Sequence, residues 1–554
     1  MELKDYTNNA LVIEQQPLAQ SHLKYSLRAI GFKQVDFVDR SYLALKAIEN
    51  KHYDLIICSS ELNSDADGYQ LFEQLVAEKR VKPSSCFVFL SSTQNLAHAQ
   101  SIVELKPDDV VQKPYSAMDI EKRLLKVLNK KARFYDVFKE VDNNNMQAAN
   151  QALNDYIAEN KTGRWVAYLM KLKGELILLM QQWGIGMQFF AKVLNIHPYT
   201  WAEVGQVECF LQLELFDEAQ HKLEFMLKKH NTKLPAHDML TRLFKHNKEY
   251  QAAAEHLKSA IKLSPRNLTR MKELVELSRL LHDFESLYTA SNTLARHSKH
   301  SLHYNPGYYL SAIRANIDYA YTLLDEEESR KLAHQSQSML SLFKKNHPSL
   351  ATNTAIDVTQ ARIYNLREEK NKAKRLLTPL LEHRPNKEQE HSSETGSLDN
   401  FEHTLEQAKA LHEVGFYNES EQVFEQLVEY SQQNYCSDIT RQYILEEQQL
   451  RKDIKDSPKE LNNQAVAYHD KGNYSLALRA FEMAFRLMPK SSSIALNLMQ
   501  TAIESDLISS DEKRLKQIIS RCHQSISTPK LNAEQLARYD KLNEILSDKN
   551  VMQQ

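Results

Sequence analysis

Three histidines, His297, His300 and His303, stand at i, i+3 and i+6 beside Arg296 and Lys299, a spacing that could set two imidazoles on one helix face. Metal binding by such a pair needs nearby acids or thiols and a fixed outer shell. Neither is evident around it, so the spacing predicts a solvated helix end. Five cysteines (Cys58, Cys86, Cys209, Cys436 and Cys522) lie far apart with no CxxC pair, which predicts reduced, mostly buried thiols. HExxH, GxSxG and GxxxxGK(S/T) are all missing, so the common hydrolase and nucleotide signatures are absent. The chain is expected to be no enzyme and to hold no cofactor or metal.

The elements that would position any chemistry are mostly helical. Among 554 residues only 11 are glycine and 14 proline, so glycine usage is about 2%, against an average of about 7%. Glycine supplies tight βα turns, hairpins and phosphate-cradling loops, and its shortage argues against sandwiches, nucleotide-binding Rossmann or P-loop folds and collagen-like sequence. The length allows about three to five domains, or fewer with a repeat array. Apolar content of 42% suffices for packed cores, and no run approaches the ~18 apolar residues of a membrane helix. The start, MELKDYTNNALVIEQQ, has no basic region followed by a long apolar stretch, so a cytoplasmic protein without membrane contact is expected. Lys+Arg 70 against Asp+Glu 72 gives a net charge of −2. With no helix-turn-helix beside a basic face, nucleic acid is not an expected partner.

Up to residue 131 short apolar runs alternate with amphipathic stretches. Leu11-Val12-Ile13, Val35 to Val38, Leu55 to Cys58, Cys86 to Leu90 and Val110-Val111 read as buried strands. Between and after them, helices are expected around Leu23 and Leu27 with Gly31 as cap, around Ala44 and Ile48, around Leu71 and Leu75, up to Val103, and from Ser116 to about Leu128. Five β–α units of this kind make an open parallel sheet.

Over about residues 8–131 this pattern resembles the response-regulator receiver domain, which implies an α/β, flavodoxin-like fold with a five-stranded parallel sheet. The family places an acidic pair after the first strand, a phosphoacceptor Asp at the end of the third, a Ser or Thr at the end of the fourth and a Lys-Pro after the fifth. The acids hold Mg²⁺, the Asp attacks the phosphoryl group, and Lys and hydroxyl hold the product. Mapped onto this chain, "LVIEQQP" puts Glu14 and Gln15 at the acidic pair, and "YDLIICSSELNSDADGY" puts Ser59 at the phosphoacceptor. Ser91 takes the hydroxyl position, Lys113-Pro114 keep the Lys-Pro that the family usually holds cis, and Val110 stands where the family's switch aromatic would be.

Two of three carboxylates are thereby lost, which weakens Mg²⁺ affinity and removes the nucleophile. Asp54, Glu61, Asp65 and Asp67 are expected to lie away from the strand end beside Lys113. A residual hydrogen-bond cluster is expected instead, with Lys113 paired to Glu14 and Ser59 capping the loop.

Beyond Leu128 the patterning is helical. Pro458 to Ser491, "PKELNNQAVAYHDKGNYSLALRAFEMAFRLMPKS", places Ala465, Tyr468, Gly472, Tyr474, Ala477, Phe481, Ala484 and Pro489 at the spacings of the 34-residue tetratricopeptide repeat. Residues 167–200, 200–233, 234–267, 354–387 and 401–434 are weaker units in phase, and 133–166 and 268–301 are degenerate members, about seven to nine units in all. The implied architecture is an all-α superhelix behind the receiver. Expected boundaries are a degenerate receiver over 1–131, repeats over 132–383, a polar flexible link over 384–400, repeats over 401–491 and a capping helix pair over 492–554.

The tetratricopeptide resemblance implies a partner-binding inner face, which would carry Tyr168, Lys171, Glu175, Leu178 and Leu179 in one unit and Asp238, Arg242, Lys245 and His246 in another. Arg242 and Lys245 are then expected to face an acidic group. The receiver resemblance implies docking through its fourth and fifth helices and fifth strand, about Gln94 to Leu128, onto a partner or a second copy. Together these readings predict a bacterial, phosphorylation-independent adaptor. The alternative is a two-component response regulator whose repeats are controlled by phosphorylation or by receiver dimerisation.

Overall fold

The apolar runs of the N-terminal region become parallel strands because a helix separates each from the next and supplies the crossover. The structure is a computed structural model describing residues 3–62, 66–92, 95–159, 163–301, 303–350, 353–382, 397–433, 436–505, 511–526 and 531–548. Strands β1 (Asn9–Ile13), β2 (Gln34–Val38), β3 (Leu55–Ser59), β4 (Cys86–Ser91) and β5 (Asp109–Gln112) lie in the order β2-β1-β3-β4-β5. Ala10, Val12, Ile57 and Val88 face Leu23, Leu27, Leu124 and Leu128 on one side. Leu11, Ile13, Ile56 and Phe87 face Leu71, Phe72 and Leu75 on the other. Helices on both faces explain why these strands read as continuous apolar runs rather than alternating ones. Pairing of Ile13 with Cys58 and of Ser59 with Leu90 brings the carboxyl ends of β1, β3 and β4 to one edge.

Gly31 closes the helix Pro17–Ile30 at φ 109°, its N–H reaching the carbonyls of Leu27 and Arg28. The last receiver helix, Ala117–Arg133, outlasts its expected end near Leu128. Its extra turn is tied down: Lys131 donates to the carbonyls of Pro83 and Ser85 at 2.6 and 3.1 Å and pairs with Asp108 at 3.1 Å.

Past residue 134 the described elements are helices, including two short 3₁₀ turns. Lys233–His246 packs against Tyr250–Leu263, and Pro458–Asp470 against Tyr474–Leu487, with Ala465 and Ala477 fully buried. The turn inside such a pair needs a residue in the left-handed region. Gly472 and Gly415 supply it at φ 71° and 95°, but Gln181, Glu214, Lys248, His282 and Glu368 adopt φ 56°, 59°, 62°, 49° and 63° elsewhere. A side chain there costs about 1–2 kcal/mol. The chain tolerates that cost repeatedly, which is how few glycines coexist with many helix turns.

Met1–Arg270 with His297–Tyr304 form one compact unit, and Met271–Arg296 with Asn305–Gln554 a second. The expected polar link differs in part: 384–396 lie outside the described residues, while 397–400 begin the helix Ser397–Val414. The C-terminal region holds three described helices rather than a pair, Ser492–Glu504, Glu512–Ser525 and Ala533–Asp548. All five cysteines are free thiols, four of them buried. Among the described residues no helix is long and apolar enough to cross a membrane.

Three histidines predict how the chain responds to mild acid. Burial first, then His256 and Lys233, push His237 down from 6.5 to about 4. Burial and Arg314 do the same to His403, and burial and Arg451 to His412, each to about 4. Between pH 6.5 and 4 the unfolded chain therefore binds protons that the folded chain refuses. Stability is expected to fall as pH drops through that window, by at most about 1.4 kcal/mol per pH unit for each such histidine. Denaturant midpoints measured at intervals from pH 7 to 4 check this, and a flat profile would contradict it.

Candidate functional site

The carboxyl edge of the sheet gathers four of the five receiver positions picked out from the sequence. Glu14 follows β1, Ser59 and Ser91 end β3 and β4, and Lys113 follows β5, where its N–H reaches the Ser91 carbonyl at 2.8 Å. The Lys113-Pro114 bond is cis. Lys113 Nζ lies 2.6 Å from Glu14 Oε2 and donates to Ser59 Oγ at 3.0 Å. Glu14 is 2% exposed, and its Oε1 accepts from the backbone N–H groups of Gln15 and Gln16 at 2.9 and 3.1 Å. Gln15 thus contributes its main chain to the cluster and is itself half-buried.

Ser59 Oγ also donates to the Glu61 carbonyl at 3.4 Å, the expected loop contact. Gly68 packs so close to the Ser59 carbonyl that any Cβ there would collide with it. Beside the cluster, burial drives the Cys58 thiol well above the ordinary range.

Glu61 corrects the sequence reading. Expected to lie in the loop away from this edge, it instead folds back over β4. Its carboxylate accepts from Ser60 Oγ at 2.7 Å, Ser91 Oγ at 3.1 Å and the Ser92 N–H at 3.2 Å. Burial works to raise its pKa, but the hydrogen bonds from Ser60, Ser92 and Ser91 hold it below the ordinary carboxylate value. Asp54 stays at the opposite end of β3, accepting from the N–H groups of Asn8 and Asn9. Asp67 caps the helix Gly68–Ala77, and Asp65 lies outside the described residues. The only hint of Glu61 in the sequence was a carboxylate two positions past Ser59.

Lys113→Ala is expected to cost about 2 kcal/mol, because it leaves the buried Glu14 carboxylate without its cation. Denaturant unfolding at pH 7 measures it, and a change within about 0.5 kcal/mol would contradict the pairing.

The side of the receiver expected to dock a partner is partly engaged by the chain itself. On the helix Leu96–Glu104, Ser101 accepts from Ser264 at 3.1 Å, and Glu104 accepts from Asn267 at 2.8 Å and from Arg270 at 2.8 and 2.9 Å. The neighbouring helix Gly68–Ala77 is held likewise. Arg266 pairs with Asp67 at 2.6 Å and stacks on the Tyr69 ring, while Gln70 donates to the carbonyls of His297 and Lys299. Leu96 and Met118 stay exposed, and Gln94 lies outside the described residues.

The three spaced histidines do not share a helix face, because their helix ends at Ser298 and His300 sits in a left-handed turn at φ 64°. His303 lies 3.7 Å from Glu73 instead. Among the described residues no group of three His, Cys, Asp or Glu side chains is placed to hold a metal ion.

Several of the residues expected on the inner face have partners within the chain, while Lys171, Glu175, Leu179, Arg242 and His246 are exposed. Tyr168, partly buried, packs on Phe134 with Lys130 over its ring at 4.9 Å. Lys171 pairs with Glu175 at 3.7 Å. Arg242, half-exposed, pairs with Glu208 at 2.7 and 3.1 Å. Lys245 is half-buried in the last turn of its helix, and Leu179 is exposed.

Residues 10–125 match the response regulator receiver domain family. The chain is 27% identical over 189 residues to the transcriptional regulatory protein LytR of Staphylococcus aureus (strain bovine RF122 / ET3-1), covering 34% of this chain and 68% of that protein. Among solved structures, it is similar to the signal receiver domain of a modulated diguanylate cyclase from Desulfovibrio desulfuricans G20 (20% identical, TM-score 0.20, 22% of this chain and 95% of that one). It is also similar to a tetratricopeptide repeat protein from Parabacteroides merdae ATCC 43184 (11% identical, TM-score 0.27, 46% of this chain and 93% of that one).

Proposed function

From a receiver domain over residues 10–125 followed by helical hairpins, we propose a non-enzymatic signalling adaptor in which a phosphorylation-independent receiver is joined to a protein-binding array. The observation that carries this reading is the pocket at Lys113. Its ammonium is occupied by Glu14 and Ser59, and the residue ending β3 offers a hydroxyl in place of an attacking carboxylate. Serine attack on a phosphoryl donor would need a general base to take its proton. Ser59 Oγ lies beside a protonated donor, Lys113, and points its own hydrogen toward the Glu61 carbonyl.

The donor set argues the same way for Mg²⁺, which demands near-octahedral oxygen ligation with one or two carboxylates. Glu14 is held by Lys113 and two backbone N–H groups, Gln15 brings an amide, and Glu61 is spent on Ser60, Ser91 and Ser92. These residues do not fit the ion. Glu61 also sets a negative charge beside Ser91, the hydroxyl that would hold a phosphoryl group in the family, and that charge repels an incoming anion.

Beryllofluoride with Mg²⁺, followed by thermal melting of the full chain, tests the reading. No shift in midpoint is expected. A Mg²⁺-dependent rise would favour a phosphorylation-controlled response regulator.

A further inference from the structure

Glu61 joins two segments of chain at the carboxyl edge of the sheet. It stands between β3 and the helix Gly68–Ala77, whereas Ser92 stands between β4 and the helix Leu96–Glu104. Three donors converge on its carboxylate. They are the hydroxyls of Ser60 and Ser91, residues only 6% and 4% exposed, and the Ser92 N–H, which lies 3.2 Å from both carboxylate oxygens. Hydrogen bonds to a charged group are the stronger kind. Glu61 itself is exposed, so its carboxylate meets solvent on one side and its donors on the other.

The two bridged segments lead to the two helices that hold the array. Along the first, the Gly68 N–H reaches the Ser60 carbonyl at 3.2 Å, and Asp67, Tyr69 and Gln70 engage Arg266, His297 and Lys299. Along the second, Ser101 and Glu104 engage Ser264, Asn267 and Arg270. Both sets of contacts begin a short stretch of chain away from the same carboxylate.

We propose that Glu61 is a built-in clasp: its carboxylate takes the place of an oxyanion between the segments after β3 and β4, and so keeps both helices set against the array without a signal. A transferred phosphoryl group orders a segment only while it lasts. The Glu61 carboxylate belongs to the chain and is there throughout. The inference rests on reading the receiver as phosphorylation-independent, and it adds how such a receiver holds its array. Glu61 is a positioning residue, acting through Ser60, Ser91 and Ser92. Because solvent reaches it, an oxyanion from solution can occupy its place once the side chain is removed.

The test is amide exchange of the full chain at pH 7 without Mg²⁺, in inorganic phosphate and in chloride at equal ionic strength. In chloride, Glu61→Ala is expected to speed exchange over 96–104 and 264–270 by about fivefold while the strands keep their protection. Phosphate is expected to slow both segments again in this variant and to leave the natural chain unchanged. Glu61→Gln, which keeps the volume and loses the charge, is expected to give a smaller acceleration, and it decides the matter if Glu61→Ala loses protection in the strands as well. The proposal is overturned if both variants exchange like the natural chain, if the Glu61→Ala acceleration is indifferent to phosphate, or if phosphate slows the natural chain. Acetyl phosphate and Mg²⁺ are absent, so failure here leaves the phosphorylation-independent reading standing, and failure of that reading appears separately as a mass change in the natural chain.

Discussion

Arg362→Ala is expected to lower the thermal midpoint of the second compact unit by about 10 °C. Arg362 is 1% exposed and binds three carboxylates at once, Asp318 at 2.7 Å, Glu413 at 2.6 Å and Glu406. Lys409, 3% exposed, shares Asp318 and Glu406. Desolvating these groups is costly, and only their mutual attraction offsets it. Removing the guanidinium leaves three acids against one ammonium, a loss of about 3–5 kcal/mol. Calorimetry on the full chain reads it, and a loss below about 1 kcal/mol would contradict the network. The same arrangement favours the ionised acids: despite burial, Lys409 and Arg362 hold Asp318 well below the ordinary range, and Arg362 and Lys409 also lower Glu406. Its contribution is thus present above the ordinary carboxylate pKa and is lost in strong acid, below the window set by the histidines.

Arg270→Ala comes second, with an expected cost of about 3 kcal/mol. Arg270 is 6% exposed and bonds Glu104 at 2.8 and 2.9 Å and Asp238 at 2.6 Å. It ties the receiver helix Leu96–Glu104 to the helix Lys233–His246 of the array. Amide exchange over 96–104 and 264–270 is expected to speed up in the variant while the strands keep their protection. Unchanged exchange in both segments would mean that Arg270 does not hold this contact. A partner using this side of the receiver would have to displace these bonds.

The sheet was legible because each strand is an apolar run between amphipathic stretches, and Gly31 and Lys113-Pro114 punctuate it. The contact of Lys113 with Glu14 followed from the receiver resemblance, since both residues stand at strand ends that the fold brings to one edge. Glu61 was not legible. Its position depends on how the chain turns after β3, and no local pattern encodes a carboxylate folding back onto β4.

The pairing of the charges expected on the inner face was not legible for a different reason. Arg242 and Glu208 are one repeat apart, so stacking sets them side by side and they neutralise each other. Arg486 with Asp453 and Arg514 with Glu482 repeat the pattern. An array with a short period pairs charges across its own units, and a charge read within one unit cannot reveal the partner in the next.

Intact-mass spectrometry of the full chain after incubation with acetyl phosphate and Mg²⁺ tests the central claim most directly. The account predicts an unchanged mass. Stoichiometric gain of one phosphoryl group on a residue of the N-terminal domain would contradict it, and would make the chain a phosphorylation-controlled response regulator.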